Sequence, residues 1–585
     1  MNDSESKTRN LRRFLSYLAP YWWLFAAGLL AMTAVTASRL AGPLILREVI
    51  DKAIPASDLR MTIGYAVLYL GLIIVMGVLS YFQTILIVKL GLSVVTRIKG
   101  DLFSHMLTLP VSYFDQHRVG ELMARVENDT EKLKQLFSET GIMLVSNVIY
   151  FVGTFLVFFS MDPKTSAILF IPIPFFLAGF IFIFDKLRPL YEKGRRKYAE
   201  ITAIATEFIQ GVEVLKAFGR TAYAADKLEA ASKEKRDVEI KASLLEYSTM
   251  GFTNFLAGPM FIVLIIRLVA PGIFAGAMTV GTLLVFIELG MRLFEPIFAI
   301  GENIRGIQQA RVALNRVFGI MELAPEEKGA GTVPVFNDAI EFRNVNFSYK
   351  ADEPVLRDVT FTVHKGETLA LVGPSGSGKT TTVSLLCRFY PATGGGIFVD
   401  GTSLQSLDLH AWRRMIGLVL QDIYLFPGTI LENVRVYDDG IGEPAASAAL
   451  GTVHAADFVS RLPLGISTEL HERGANLSMG EKQLLSFARA VAFNAEIIIM
   501  DEATASVDVA TERRIQESMA ELLKGRTAII VAHRLSSILK ADKILFFKEG
   551  RIIAQGRHEE LLAILPEYEE LVRLQFPDLV VEAVR

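Results

Sequence analysis

The sequence predicts a multi-domain chain: a six-helix α-helical transmembrane domain followed by an α/β P-loop nucleotide-binding domain. Three observations lead there. Six long apolar stretches crowd the first half, the segment GPSGSGKT stands in the second, and short apolar strands alternate with helical segments around it. At 585 residues the chain is too long for a single hydrophobic core. Hydrophobic residues reach 51% against 21% charged, a membrane-protein balance. The net charge of -3 averages over unlike halves and gives no reason to expect a nucleic-acid partner.

The start, MNDSESKTRNLRRFLSYLAPYWW, lacks the order of a cleaved signal, and its basic amphipathic run suits a helix lying on the cytoplasmic membrane face. The six apolar stretches then fall at roughly 21–50, 61–90, 140–160, 164–184, 248–270 and 279–301. Each reaches the roughly 20 residues that a helix needs to cross a bilayer. Their loops differ in charge. Residues 186–241 carry 13 Lys and Arg, and 91–135 add Arg97, Lys99, Arg118, Arg125, Lys132 and Lys134, while IPASDLR, SMDPKT and APGIFAGAMT hold one, one and none. The positive-inside rule therefore expects both charged stretches and both termini in the cytoplasm, with the chain multi-pass in the cytoplasmic (inner) membrane. Helical periodicity in GELMARVENDTEKLKQLF and AEITAIATEFIQGVEVLKAF expects the membrane helices to run on beyond the bilayer.

Character changes at Met321. Residues 1–320 form the expected transmembrane domain, the polar Gly- and Pro-bearing stretch 321–336 a linker, and 337–585 the nucleotide-binding domain. AIEFRNVNFSY, TLALVG, GGIFVDG, MIGLVLQ, AEIIIMDE and RTAIIVAH read as strands of an α/β domain. The lone cysteine, Cys387, excludes a disulfide framework within the chain and reads as a packed helix residue.

Within GPSGSGKT, Gly373, Pro374, Ser375, Gly376, Ser377, Gly378, Lys379 and Thr380 match GxxxxGK[ST], with Thr381 next. Glycines let backbone N–H groups wrap phosphates, Lys379 reaches the terminal phosphates, and Thr380 offers a hydroxyl to Mg²⁺. ATP and Mg²⁺ are the expected cofactors. The alternative, a Gly-rich turn, fits poorly between the strand TLALVG and the apolar helix that follows. IIIMDE ends a buried strand on Asp501 and Glu502, a pair suited to holding a metal and activating water, although a solvated acidic turn has the same look. His533 caps the strand TAIIVAH; it is either structural or placed to steady transition-state charge.

With these motifs in view, the chain resembles a half-transporter of the ATP-binding-cassette exporter superfamily over essentially its whole length. The resemblance implies that Tyr349 stacks on adenine, that Gln421 senses Mg²⁺ and the membrane domain, and that Asp508 communicates across a dimer. It assigns Asp501 to the metal, Glu502 to general-base work and His533 to the switch histidine. LPVSYFDQHRVGELMARVENDTEKL and FIQGVEVLKAFGRTAYAADKL match segments with the family's two coupling elements. In LSMGEKQ, Leu477, Ser478 and Gly480 match the signature LSGGQ, while Met479 and Glu481 depart from it. Such a signature, beside an intact Glu502 and His533, resembles the catalytic-glutamate-bearing subunit of heterodimeric exporters. A second half-transporter is therefore the expected partner, with a homodimer tolerating a variant signature as the alternative.

Ionisable residues inside spans are expensive and face cavities or partners. Arg39, Glu288 and Arg292 are the candidates for a substrate cavity, against structural pairing; Glu288 and Arg292, four apart, share a helix face. The expected activity is ATP-driven export of hydrophobic or amphiphilic substrates such as drugs, lipids or peptides. A homodimeric lipid flippase, an ATP-gated regulator or channel, and an importer on the same scaffold are the alternatives. Keeping both Glu502 and His533 favours turnover over gating.

Overall fold

The computed structural model describes residues 3–329, 331, 336–350, 352–501, 509–532 and 538–575. It divides into two compact units: residues 1–107 with 118–323, and residues 108–117 with 324–585.

Five helical stretches of the first unit are long and apolar enough to cross a membrane: Arg12–Ala53, Leu59–Met106, Gly141–Met161, Pro163–Gln210 and Thr221–Phe274. Their outward apolar surface suits lipid. In Leu59–Met106, Ile63, Val67, Leu70, Ile74, Val78 and Phe82 are all exposed, which in water would be an aggregation hazard. The sixth predicted span is not one helix. An apolar helix Val280–Met291 gives way at residues 292–294 to a second, Glu295–Met321. Pro296 supplies the reason, since it has no N–H to donate back to Arg292 and its ring crowds that carbonyl.

Close helix approaches use small residues. A Cβ on Gly153 would lie 2.4 Å from Leu40 Cδ1, and one on Gly290 would lie 2.8 Å from Ile265 Cδ1. Around these contacts Phe158, Phe286, Leu289, Leu293 and Phe294 form a buried cluster. Asp51 caps the start of Val280–Met291: its carboxylate accepts from Gly281 N–H at 2.8 Å and from the Thr279 hydroxyl at 2.5 Å, and Arg47 pairs with it at 3.4 Å.

The second unit contains strands β1 (Ala339–Lys350), β2 (Glu353–His364), β3 (Thr368–Val372), β4 (Gly394–Val399), β5 (Thr402–Ser403), β6 (Ile416–Val419), β7 (Gly428–Thr429), β8 (Glu469–Leu470), β9 (Ile497–Asp501), β10 (Thr527–Val531), β11 (Lys543–Lys548) and β12 (Arg551–Gly556). One sheet has the order β2-β1-β4-β5 and is antiparallel. The other has the order β12-β11-β3-β10-β9-β6, parallel from β11 to β6. Because helices cover both faces of such a sheet, TLALV, IIIM and TAIIV are near-continuous apolar runs, and almost every residue in them is buried.

The polar stretch read as a linker is tied down where it is described. Arg413 grips the Glu326 carboxylate through two N–H donors at 2.9 and 2.7 Å, Leu409 N–H donates to Lys328 O at 2.7 Å, and Gly331 N–H donates to Ser406 O at 2.9 Å. The segment Thr108–His117, far away in sequence, packs with this same unit.

Candidate functional site

Parallel strands deliver their C-terminal ends to one edge of the sheet, where ligands of α/β domains gather. In β10, Val531 pairs with Leu371 of β3 and with Asp501 of β9, and Met500 of β9 pairs with Val419 of β6. The GPSGSGKT loop after β3, Asp501 at the end of β9 and Gln421 just past β6 therefore stand at that one edge. Gln421 is exposed there. Three predicted site residues, Glu502, Asp508 and His533, lie outside the described residues.

Backbone geometry explains the loop's glycines. Gly373 has φ 150°, and a Cβ there would sit 2.1 Å from the carbonyl oxygen of Phe547. Gly378, at φ 105°, precedes the helix Lys379–Leu386, and its Cβ would meet Leu356 Cδ2 at 2.5 Å. Pro374, Ser375 and Gly376 form the exposed crest, whereas Ser377, Lys379 and Thr381 are buried. The Lys379 ammonium donates to the carbonyls of Gly373 and Pro374, both at 2.8 Å. Burial lowers its pKa, with Asp501 pulling the other way. A buried cation held by two neutral carbonyls and, at 3.5 Å, by the Ser377 hydroxyl favours a further anion beside it.

Thr380 Oγ1 donates to Asp501 Oδ2 at 3.2 Å. Among the described residues no group of three or more His, Cys, Asp or Glu side chains comes together. One hydroxyl beside one carboxylate is the sparse donor set that suits Mg²⁺, which keeps several waters and takes phosphate oxygens from its substrate. Tyr349, at the end of β1, is 48% exposed, so its ring is open to a ligand, and its hydroxyl lies 3.3 Å from Thr381 Oγ1.

Ser478 caps the helix Met479–Ala492, and Glu481 completes a capping box. The Glu481 carboxylate accepts from both the N–H and the hydroxyl of Ser478, each at 2.8 Å, while Glu481 N–H donates to Ser478 Oγ at 3.3 Å. Gly480 is required by its own unit, since a Cβ there would fall 2.2 Å from Thr511 Cγ2. Met479 is not so constrained: it points outward, 50% exposed.

Arg489, farther along this helix, was not among the predicted residues. Its guanidinium donates to Asn433 O at 2.8 Å, Asn433 Oδ1 at 3.0 Å and Tyr424 O at 2.8 Å, which pins the helix to the segment after Gln421. Desolvation lowers its pKa to about 10. An arginine within the apolar run LLSFARAVAF was the available signal.

In the first unit, Glu288 and Arg292 form an ion pair at 3.5 Å, and Arg39 is exposed on the helix Trp22–Glu48. Sequence reasoning missed Tyr150 and Thr154, two buried hydroxyl residues one helical turn apart on Gly141–Met161.

A family model described as ABC transporter transmembrane region matches residues 24–297, and one described as ABC transporter matches residues 356–505. Among similar proteins, the uncharacterized ABC transporter ATP-binding protein YfiC of Bacillus subtilis (strain 168) is 34% identical over 573 residues, 97% of this chain and 94% of its own length. The probable multidrug resistance ABC transporter ATP-binding/permease protein YheH of the same organism is 35% identical over 516 residues, 87% of this chain and 76% of its own. An ATP-dependent lipid A-core flippase of Syntrophus aciditrophicus (strain SB) is 31% identical over 570 residues, 97% of this chain and 94% of its own. With membrane and ATP-binding regions matched in one chain and relatives aligned along nearly all of it, the chain belongs to the ABC transporter family, as an exporter-type half-transporter that couples ATP hydrolysis to transport across a membrane.

Proposed function

We propose that this chain is one half of a heterodimeric exporter of the cytoplasmic membrane, with both termini in the cytoplasm and six crossings, the broken helix pair making the sixth. It moves amphiphilic compounds (drugs, lipids or peptides) outward by alternating access. Two relatives, a probable multidrug resistance ABC transporter and an ATP-dependent lipid A-core flippase, support that substrate class. Arg39, Glu288 and Arg292, with the hydroxyls of Tyr150 and Thr154, are the proposed polar lining of the pathway.

At the nucleotide site Tyr349 receives adenine and the residues from Gly373 to Thr381 wrap the phosphates. Lys379 exchanges two carbonyls for phosphate oxygens. Thr380, Asp501 and Gln421 would hold Mg²⁺, which when bound neutralises charge on the phosphoryl group being transferred. Glu502 takes the proton of the attacking water, and His533 steadies the charge that develops. Ser478 and Gly480, at a helix N-terminus, face the ATP of the opposite subunit, and Asp508 carries the signal between the two.

The observation that carries the heterodimer is the signature geometry. Glu481 sets a carboxylate on the Ser478 hydroxyl, and the neighbouring Met479 leaves a bulky apolar side chain half exposed at the same helix N-terminus. Both disfavour a phosphate there, yet the site completed by the partner's signature keeps its whole catalytic set. The asymmetry makes sense with a partner of normal signature and a replaced catalytic glutamate. Purifying the chain expressed alone, and again from its native membrane, tests this. The expected result is a poorly active chain alone and a distinct co-purifying subunit. An active homodimer with two equivalent hydrolysing sites would overturn it, as would a partner that keeps its own catalytic glutamate.

A further inference from the structure

The helix that follows the phosphate loop, Lys379–Leu386, stops at an unusual residue. Phe389 N–H donates to Ser384 O at 2.9 Å and Arg388 N–H to Leu385 O at 3.0 Å, the paired hydrogen bonds of a left-handed helix stop. Glycine usually fills the left-handed position, yet here it is Arg388, at φ 55° and buried. Its side chain supplies the reason. The guanidinium donates to Leu407 O at 2.8 Å and to Glu327 O at 2.7 Å, which joins the helix end to the polar stretch after Met321.

The carbonyls at and beyond the helix end are taken by two neighbours on the short helix Leu409–Arg414. Trp412 Nε1–H donates to Leu386 O at 2.9 Å, and Arg413 donates to Cys387 O at 3.1 Å and to Arg388 O at 2.9 Å. The same Arg413 guanidinium holds both oxygens of the Glu326 carboxylate. Two guanidiniums thus meet at the negative end of one helix, and Glu326 offsets their repulsion. Burial lowers the Arg388 pKa, Arg413 lowers it further, and Glu326 pulls the other way.

We propose that Arg388 and Arg413, braced by Glu326, are positioning residues for ATP: they clamp the C-terminal end of Lys379–Leu386 so that its first residues, Lys379 and Thr380, meet the phosphates in a fixed place. This rests on the reading of Gly373 to Thr381 as the phosphate cradle. A helix of this length is a rod of about 12 Å, so an end held at Cys387 also holds the end at Lys379. Glu326 then belongs to the nucleotide site although it stands at the far end of that rod. The clamp holds the loop alike in the bound and the reacting state. Its loss therefore raises the KM for ATP and leaves kcat at saturating ATP in place.

Binding of AMP-PNP and of tripolyphosphate to the full chain in lipid nanodiscs, with ATPase kinetics and thermal midpoint of the same samples, tests the proposal. Arg413→Met should weaken both ligands alike by about three- to tenfold, the scale of one net hydrogen bond, because the clamp acts through the phosphate end. KM for ATP should rise by that factor, with kcat within about twofold. Arg413→Lys keeps the charge without the two-pronged grip and should fall between wild type and Arg413→Met. Arg388→Gly suits the left-handed backbone, so weaker binding there reports the lost side chain and not strain. Glu326→Gln should weaken both ligands by about two- to threefold, and adding it to Arg413→Met should weaken them no further. If Arg413→Met does not fold, Arg388→Gly and Glu326→Gln decide the matter on the same readouts. Unchanged tripolyphosphate affinity in the folded variants would overturn the proposal. So would a lower thermal midpoint or kcat with KM unmoved, which marks a contact that only stabilises the fold. If Lys379→Ala leaves tripolyphosphate affinity unchanged, the phosphate-cradle reading itself falls and takes the proposal with it.

Discussion

Glu481→Gln separates two effects of one carboxylate. Oε2 of Glu481 accepts from Ser478 N–H and Ser478 Oγ–H, both at 2.8 Å, at the first turn of Met479–Ala492. Glutamine keeps an acceptor, so the box survives, but a charge-assisted bond becomes a neutral one of about half the strength. The helix N-terminus also loses its anion, worth about 0.3–1 kcal/mol at an exposed site. Folding stability should therefore fall by about 0.5–1 kcal/mol, a melting midpoint lower by about 1–3 °C for a domain of this size. Binding should move the other way. The same 0.3–1 kcal/mol becomes available to the opposite subunit's phosphate, an increase of about two- to fivefold in affinity. The assay is ATP retention in nanodiscs by protein carrying Glu502→Gln to halt turnover, alongside its thermal midpoint. Lower stability with tighter ATP retention is the expected pair. Unchanged or weaker ATP retention would refute the idea that Glu481 opposes the phosphate.

Two further outcomes follow from the structure. Neutralising Glu288 or Arg292 should change the spectrum of transported compounds while leaving basal ATPase near normal, because neither residue belongs to the nucleotide site; if both variants fail to assemble, the pair is structural. Asp400 accepts from the backbone N–H groups of Asn337, Asp338 and Ala339 at 2.7, 3.0 and 2.9 Å. Burial alone would raise its pKa, but these donors outweigh burial and hold it below the usual carboxylate range. Its contribution is thus complete above the unfolded value of about 3.9 and is lost as pH falls through the lower folded value. Asp400→Asn should lower the thermal midpoint at neutral pH, and the gap to wild type should close in strong acid; a gap constant with pH would contradict this.

Local chemistry was legible in the sequence, and long-range contacts were not. GPSGSGKT announces itself because its backbone needs glycine at fixed positions, and the buried strands because both faces are apolar. The break in the sixth apolar stretch was harder to see. Pro43, Pro189 and Pro271 all sit inside continuous helices, so a proline alone does not say which helix breaks. The polar stretch after Met321 looked free because its anchors, Arg388 and Arg413, lie elsewhere in the chain and bind Glu327 O and the Glu326 carboxylate. The Tyr390 hydroxyl donates to the Asp115 carboxylate across 275 residues, and nothing local marks either one. Met479 and Glu481 were visible as departures, but only the structure shows that Gly480 is fixed by Thr511 while Met479 meets no such demand.

The most direct test of the central claim, that hydrolysis at this chain's own phosphate loop drives transport, is steady-state ATPase of Glu502→Gln with ATP binding measured on the same purified protein. Hydrolysis should drop by about 10²–10⁴-fold, the scale of a general base, while ATP binding persists. Lys379→Ala, as the contrast, should lose binding. Near-normal ATPase in Glu502→Gln would contradict the account, because the water would then be activated by another group.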